Sequence, residues 1–120
     1  MIFVGTDIVP LSRIDKMIQE KGEHFLDHVF SKNEQNICNG KSSPSIHYSG
    51  KFAAKEAVKK AILSSKTTPD ISLRSIEINN DTDGAPFVQI DKNKLDYKNL
   101  KVSISHAGDY AIATAILELK

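Results

Sequence analysis

The 120-residue chain has one cysteine, Cys38. An internal disulfide is therefore excluded, and the composition fits a reducing compartment. With no local partner for metal binding or nucleophilic chemistry, Cys38 reads as a buried small hydrophobe. No apolar run is long enough to cross a membrane. The start, Met1-Ile2-Phe3-Val4-Gly5, lacks a basic flank and meets Asp7 too early for a secretory signal, so the cytoplasm is the expected location. Excess charge of one sign is also missing: 16 Lys and Arg oppose 15 Asp and Glu, for a net charge of +1. No strong global field draws the chain to nucleic acid or to a membrane, and no aromatic–basic platform for nucleic acid is present. Length and composition point to a single soluble domain spanning 1–120.

Three familiar ligand motifs are incomplete. His24 and His28 have i, i+4 spacing, but no third ligand completes a zinc site, and they read as surface histidines. Gly40-Lys41-Ser42 lacks the earlier glycine of a P-loop. Asn79, Asp81, Asp83 and Gly84 match the front of a calcium loop, but Ile90 stands where the bidentate glutamate belongs.

What is present centres on Lys51-Phe52-Ala53-Ala54-Lys55-Glu56-Ala57-Val58-Lys59-Lys60-Ala61-Ile62. Ala53, Ala54, Ala57, Val58, Ala61 and Ile62 recur at helical spacing and form one apolar face, rich in alanine, that a neighbour can approach closely. Phe52, Lys55, Glu56, Lys59 and Lys60 lie on the opposite arc. Two readings compete there. One is a solvated face with Glu56 paired to Lys59 or Lys60. The other is a carboxylate kept for a metal, among ammonium groups kept for phosphates. Pro44, after Ser43, starts this helix, which runs to about Leu63 or Ser65, and a loop follows over 64–70.

The remaining elements follow in order. Ile2–Val4 reads as a strand closed by Gly5, and Asp7 behind it is either a turn or cap residue or a metal ligand. After Pro10, Ser12 with Asp15 predicts a capped helix that turns Ile14, Met17 and Ile18 inward, with Arg13, Lys16 and Lys21 on its polar side. A short helix carries Phe25, Leu26, Val29 and Phe30. Ser31 with Glu34 is a second capping box, opening a helix to about Cys38. Ile76–Ile78 and Pro86–Ile90 are paired strands around Asp83-Gly84, and 95–100 reads as a linker or short turn. Leu100–His106 and Tyr110–Leu119 form a hairpin whose alanines suit the alanine face of the central helix. Ser105 and His106 are adjacent on a strand and point to opposite faces, so they form no direct dyad; a phosphate contact suits His106 better.

Three fragments then combine: Gly5-Thr6-Asp7-Ile8-Val9 with Arg13-Ile14, Lys51–Ala57 with Lys59-Lys60-Ala61, and Ser103-Ile104-Ser105-His106 with Tyr110-Ala111 and Ala113. Their order and spacing, over nearly the whole chain, resemble the holo-[acyl-carrier-protein] synthase family of short-chain 4′-phosphopantetheinyl transferases. Gly84-Ala85-Pro86 is similar to that family's Gly-x-Pro.

The resemblance implies an α+β fold, with an antiparallel sheet packed around a long central helix and additional N-terminal helices. It implies transfer of 4′-phosphopantetheine from coenzyme A to a serine of apo acyl carrier protein, releasing adenosine 3′,5′-bisphosphate, in support of fatty acid biosynthesis. It assigns magnesium to Asp7 and Glu56, and phosphate or proton handling to Lys59. Lys55, Ser105 and His106 become substrate contacts, and Arg13 a contact to the carrier protein. The proton acceptor stays open among Glu56, a water on the metal and Lys59. The resemblance also implies a homotrimer with sites shared between subunits. The competing class is a non-catalytic module that binds coenzyme A, a nucleotide or an acidic protein. One departure concerns the segment after Ala61. The family often has Leu-Gly there, whereas this chain reads Ile62-Leu63-Ser64-Ser65, which predicts a longer helix.

Overall fold

The computed structural model describes residues 1–67 and 70–120. The chain opens on β1 (Ile2–Pro10), three times the length expected. Its cause is unbroken antiparallel pairing with the last strand, from Ile2 opposite Glu118 to Pro10 opposite Tyr110. Gly5 does not end the strand. It admits the central helix, because a Cβ at this position would lie 1.9 Å from the Ala57 carbonyl oxygen. Asp7 is accordingly a mid-strand residue and not a turn or cap.

Helix α1 (Leu11–Lys21) follows directly, with Pro10 at the cap position and no side-chain cap. The cap expected from Ser12 does not form, because the strand delivers the chain to Leu11, whose N–H donates to the Asp109 carbonyl at 2.8 Å. Ser12 falls inside the first turn, and Asp15 instead accepts from Ser45 Oγ and Gln19 Nε2, each at 3.0 Å. Helix α2 (Glu23–Val29) precedes α3 (Lys32–Asn39), which opens with the expected capping box of Ser31 and Glu34.

Helix α4 (Pro44–Ser65) begins at the expected proline and runs through Ser65. With no glycine available, Lys66 takes the left-handed conformation that ends it, at φ 57°. The loop expected over 64–70 therefore starts later, and its Thr68-Pro69 portion lies outside the described residues.

A single 3₁₀ turn (Leu73–Ser75) leads to the hairpin of β2 (Glu77–Asn80) and β3 (Pro86–Gln89). Gly84 supplies its positive φ of 87°. Asp81 Oδ1 accepts from the Asp83 and Ala85 N–H groups at 2.9 Å each, so this acid shapes the turn. The long hairpin of β4 (Tyr97–Ala107) and β5 (Tyr110–Leu119) completes the chain. The segment read as a linker or short turn over 95–100 already joins β4 from Tyr97, through a register shift between Tyr97 and Asn99.

The main sheet has the order β1-β5-β4 and is antiparallel throughout. Ala111, Ala113, Ala115 and Leu117 of the central strand are buried on one face, and helix α4 crosses that face with its fully buried Ala53, Ala54, Ala57 and Ala61. Alanine on both sides brings backbone close to backbone, and burial of this small-residue seam with the surrounding isoleucines, valines and phenylalanines drives the packing.

The arc of α4 read as polar is partly buried as well. Phe52 is in the core, and Lys55 is fully buried. The Lys55 ammonium lies 2.7 Å from Glu34 Oε1 and donates to the carbonyls of Ile76 at 2.6 Å and Leu73 at 3.0 Å. Glu34 Oε1 also accepts the Ser31 N–H at 2.8 Å, and its Oε2 accepts the Ile78 N–H at 2.7 Å. Lys51 donates to the Ile78 carbonyl at 2.8 Å and to Asn80 Oδ1 at 3.0 Å. The open edge of β2 is thus satisfied by side chains of α3 and α4 rather than by another strand. Burial pulls the Lys55 ammonium below its ordinary range, and Glu34 opposes that shift.

Candidate functional site

Helix α4 places two chemically different regions at two ends of its path over the sheet. Near its N-terminal end Gly50 meets His106 and Ile104 of β4, and near its C-terminal end Ala57 and Ala61 meet Gly5 of β1. From Gly50 to Lys60 the helix advances about 15 Å.

The region toward the C-terminal end of α4 contains Asp7, Glu56 and Lys60. Asp7 shares the inner face of β1 with Gly5 and Val9, and its side chain is 16% exposed. The Lys60 ammonium lies 3.0 Å from Asp7 Oδ1 and also donates to the Thr6 carbonyl at 3.0 Å. Glu56, partly buried, stands four residues before Lys60, so the two side chains share a helix face. Both lysines offered as surface partners for Glu56 are engaged elsewhere: Lys60 with Asp7, and Lys59 with Asp70 at 3.6 Å. The sequence reading passed over Lys60 in favour of Lys59. Spacing does not separate the two, since i+3 and i+4 both share the Glu56 face; the tertiary partners Asp7 and Asp70 do.

The other region is a cavity of about 430 Å³ lined by Lys41, His47, Lys51, Thr82, Pro86 and His106, among others. Gly84 and Pro86 of the β2–β3 turn form one wall. His106 fits because Gly50 has no side chain: a Cβ there would lie 3.0 Å from the imidazole. His106 Nε2 is 3.2 Å from the Ile46 carbonyl oxygen. A carbonyl accepts and cannot donate, so this contact places a proton on Nε2 and leaves Nδ1 as the second ring nitrogen for a ligand.

Ser105 does not join this cavity. It is exposed on the opposite sheet face, across from Ile112, as strand alternation requires. Lys55, a sequence candidate for phosphate contact, is withdrawn from solvent by Glu34. Arg13 is exposed on α1, with its guanidinium 5.6 Å from the centre of the Phe52 ring. His24 and His28 are exposed, and Cys38 is buried, with its thiol pushed up to about 11 by burial.

The outer face of the main sheet is unusually apolar. Ile2, Val4, Ile8, Ile112 and Ile116 are between 42% and 61% exposed. The strand register sets Ile8 against Ile112 and Val4 against Ile116, two apolar pairs separated on this face by the Thr6–Thr114 pair, with Ile2 opposite Glu118. Among the described residues, no helix is long and apolar enough to cross a membrane.

Comparison with known proteins gives the family and agrees with the fold. Residues 3–115 match the family model described as the 4′-phosphopantetheinyl transferase superfamily. The chain is 41% identical over 116 residues to a holo-[acyl-carrier-protein] synthase from Protochlamydia amoebophila, covering 94% of each. It superposes on a Helicobacter pylori holo-[acyl-carrier-protein] synthase in complex with coenzyme A, with a TM-score of 0.85 and 33% identity over 96% of this chain and 99% of that one. A Bacillus anthracis synthase, in complex with CoA (3′,5′-ADP), gives a TM-score of 0.81 and 31% identity over 98% of this chain and 96% of that one.

Proposed function

Since the chain belongs to the holo-[acyl-carrier-protein] synthase family of 4′-phosphopantetheinyl transferases, we propose that Asp7, Glu56 and Lys60 form its reaction centre and that the His106 cavity receives the nucleotide end of coenzyme A. The reaction transfers 4′-phosphopantetheine from coenzyme A to a serine of apo acyl carrier protein, the step that readies the carrier for fatty acid biosynthesis. The serine hydroxyl gives up its proton to Glu56 or to water as its oxygen attacks the β-phosphorus. Its bond to that phosphorus forms as the bond to the 5′-phosphate oxygen breaks, and adenosine 3′,5′-bisphosphate leaves with that electron pair.

The observation that carries the residue assignment is the meeting of Asp7 and Lys60 at 3.0 Å beside Glu56 on the same helix face. The donor chemistry fits magnesium: two carboxylates, with the remaining positions left to water and phosphate oxygens, suit a hard cation. The described residues include no group of three or more His, Cys, Asp or Glu side chains placed to hold a metal, so a cation here depends on the substrate's oxygens as well. Asp7 and Glu56 would hold it, and it would neutralise charge that builds on the pyrophosphate. Lys60 now neutralises Asp7. With that charge held otherwise, its half-exposed ammonium turns to the phosphate oxygens. This replaces Lys59, whose engagement with Asp70 leads away from Asp7.

Arg13 and the exposed Lys16 and Lys21 of α1 supply a basic edge for the acidic carrier protein. The apolar outer sheet face fits two further copies of this chain in a homotrimer, an assembly that also removes about 15 Å of separation as an obstacle, because the nucleotide cavity of one subunit can serve the carboxylates of the next. The cytoplasm, where apo carrier protein and coenzyme A meet, is the proposed location.

The test is incubation with apo acyl carrier protein, coenzyme A and magnesium, followed by intact mass measurement of the carrier. The carrier is expected to gain one phosphopantetheine, and to lose that gain with Asp7→Ala, Glu56→Ala or EDTA. Coenzyme A binding with no mass gain across a panel of carriers would favour a binding module.

A further inference from the structure

The nucleotide cavity holds a second imidazole that the transfer chemistry does not use. His47 lies on α4 four residues before Lys51, hence on the same helix face, and both line the cavity with Lys41 and His106. Lys41 comes from the α3–α4 loop, His47 and Lys51 from α4, and His106 from β4. The β2–β3 turn contributes one acid, Asp81, whose Oδ1 already accepts from Asp83 and Ala85. Lys51 is held by the Ile78 carbonyl and the Asn80 amide oxygen, both neutral, while Glu34 and Glu77 act on its charge only through space and burial outweighs them.

We propose that His47 is a proton-linked binding residue of this cavity: it takes up a proton as a phosphate monoester of the nucleotide enters, and then donates to that phosphate. The proposal rests on the reading that this cavity takes the nucleotide end of coenzyme A. Its basis is the geometry. Three other basic side chains surround an imidazole in one concave space, and a doubly charged phosphate reverses the field they create.

The electrostatics agree. Partial burial, then Lys41, His106 and Lys51, hold the His47 imidazole below its usual range. His47 is therefore neutral in the free protein at pH 7 and acquires its charge with the ligand. His106 differs, because its Nε2 is already committed to the Ile46 carbonyl. The sign follows from linkage. The bound-state pKa exceeds the free-state pKa, so the added affinity is fully present below the free value and is lost as pH rises through the bound value, by at most about tenfold per pH unit for one proton.

Adenosine 3′,5′-bisphosphate is the probe. Calorimetric titration of the assembled protein at pH 7, in buffers of different ionisation enthalpy, reads proton uptake directly. Wild type is expected to take up more protons per nucleotide than His47→Gln, while His106→Gln retains the His47 contribution. In parallel, the His47 Cε1–H resonance, assigned by its absence in His47→Gln, is expected to titrate at higher pH with the nucleotide bound. Equal proton uptake by wild type and His47→Gln, or an unmoved His47 titration in the bound protein, overturns the proposal. Absence of any nucleotide binding by wild type would overturn the cavity assignment itself, a separable outcome.

Discussion

Lys60 reaches across the α4–β1 contact to place its ammonium 3.0 Å from Asp7 Oδ1, one helical turn beyond Glu56. Its neighbour Lys59 points to Asp70 instead. Lys60→Met should therefore lower the transfer rate by about 10²-fold or more, the scale of losing one charge-stabilising donor, whereas Lys59→Met should cost far less. The Lys60–Asp7 pair is half exposed on the lysine side, so Lys60→Met should change stability by no more than about 1 kcal/mol. Initial rates and urea unfolding of both variants separate the two effects. Equal rate losses would remove the distinction between the lysines.

Gly5 is required by packing. A methyl group there would sit 1.9 Å from the Ala57 carbonyl and 2.7 Å from the Ala61 nitrogen. Gly5→Ala should destabilise the protein by about 3 kcal/mol or more, because backbone on both sides must move. Denaturant unfolding measures this, and a near-neutral result would mean that α4 shifts readily on β1.

Glu34 and Lys55 form an ion pair whose side chains are 0% exposed. Glu34→Ala should cost about 3–5 kcal/mol, since it strands the ammonium and frees the Ile78 N–H in the interior. Lys55→Met combined with Glu34→Gln should cost less than Glu34→Ala alone, because no buried charge remains. A double-variant cycle in urea checks the ordering.

Stability should fall in alkali. Burial raises the Cys38 thiol to about 11 and the Tyr48 hydroxyl to about 12 in the folded chain. Both groups are then protonated when folded and ionised when unfolded, so their contribution is present below about pH 9 and is lost as pH rises toward 11 and 12. Thermal melts from pH 8 to 11 should show a declining midpoint, with a shallower decline in Cys38→Ala. A flat profile would contradict the burial of both groups.

Lys66 ends α4 at φ 57°, where a side chain is strained. Lys66→Gly should stabilise the protein by about 0.5–1 kcal/mol, the left-handed strain relieved outweighing the added freedom of the unfolded chain. A melting-temperature increase is the readout, and a decrease would show that glycine's unfolded-state entropy dominates.

The sequence made the helical alanine face, the Ser31–Glu34 capping box and the divergence of Ser105 from His106 legible, because each depends on local periodicity or capping chemistry. The full length of β1 was not legible. Gly5 and Pro10 read locally as punctuation, and only pairing with β5 from Ile2 to Pro10 carries the strand through both. The burial of Lys55 was equally invisible, since its counter-charge on α3 is 21 residues away in sequence and its carbonyl partners follow α4. The fold class, central helix and α-on-sheet packing followed from the motifs. Choosing Lys60 over Lys59 required knowing on which side of α4 β1 lies.

The central claim is that Asp7, Glu56 and Lys60 of one subunit work with the His106 cavity of a neighbour. Subunit complementation tests it most directly. Asp7→Ala and His106→Ala proteins, each purified separately and weakly active, are dissociated, mixed and reassembled, and transfer to apo acyl carrier protein is then measured. Shared sites predict that the mixed assemblies recover activity well above either parent, because some interfaces pair an intact Asp7 with an intact His106. Activity that stays at the average of the two parents would place each complete site within a single subunit and contradict the account.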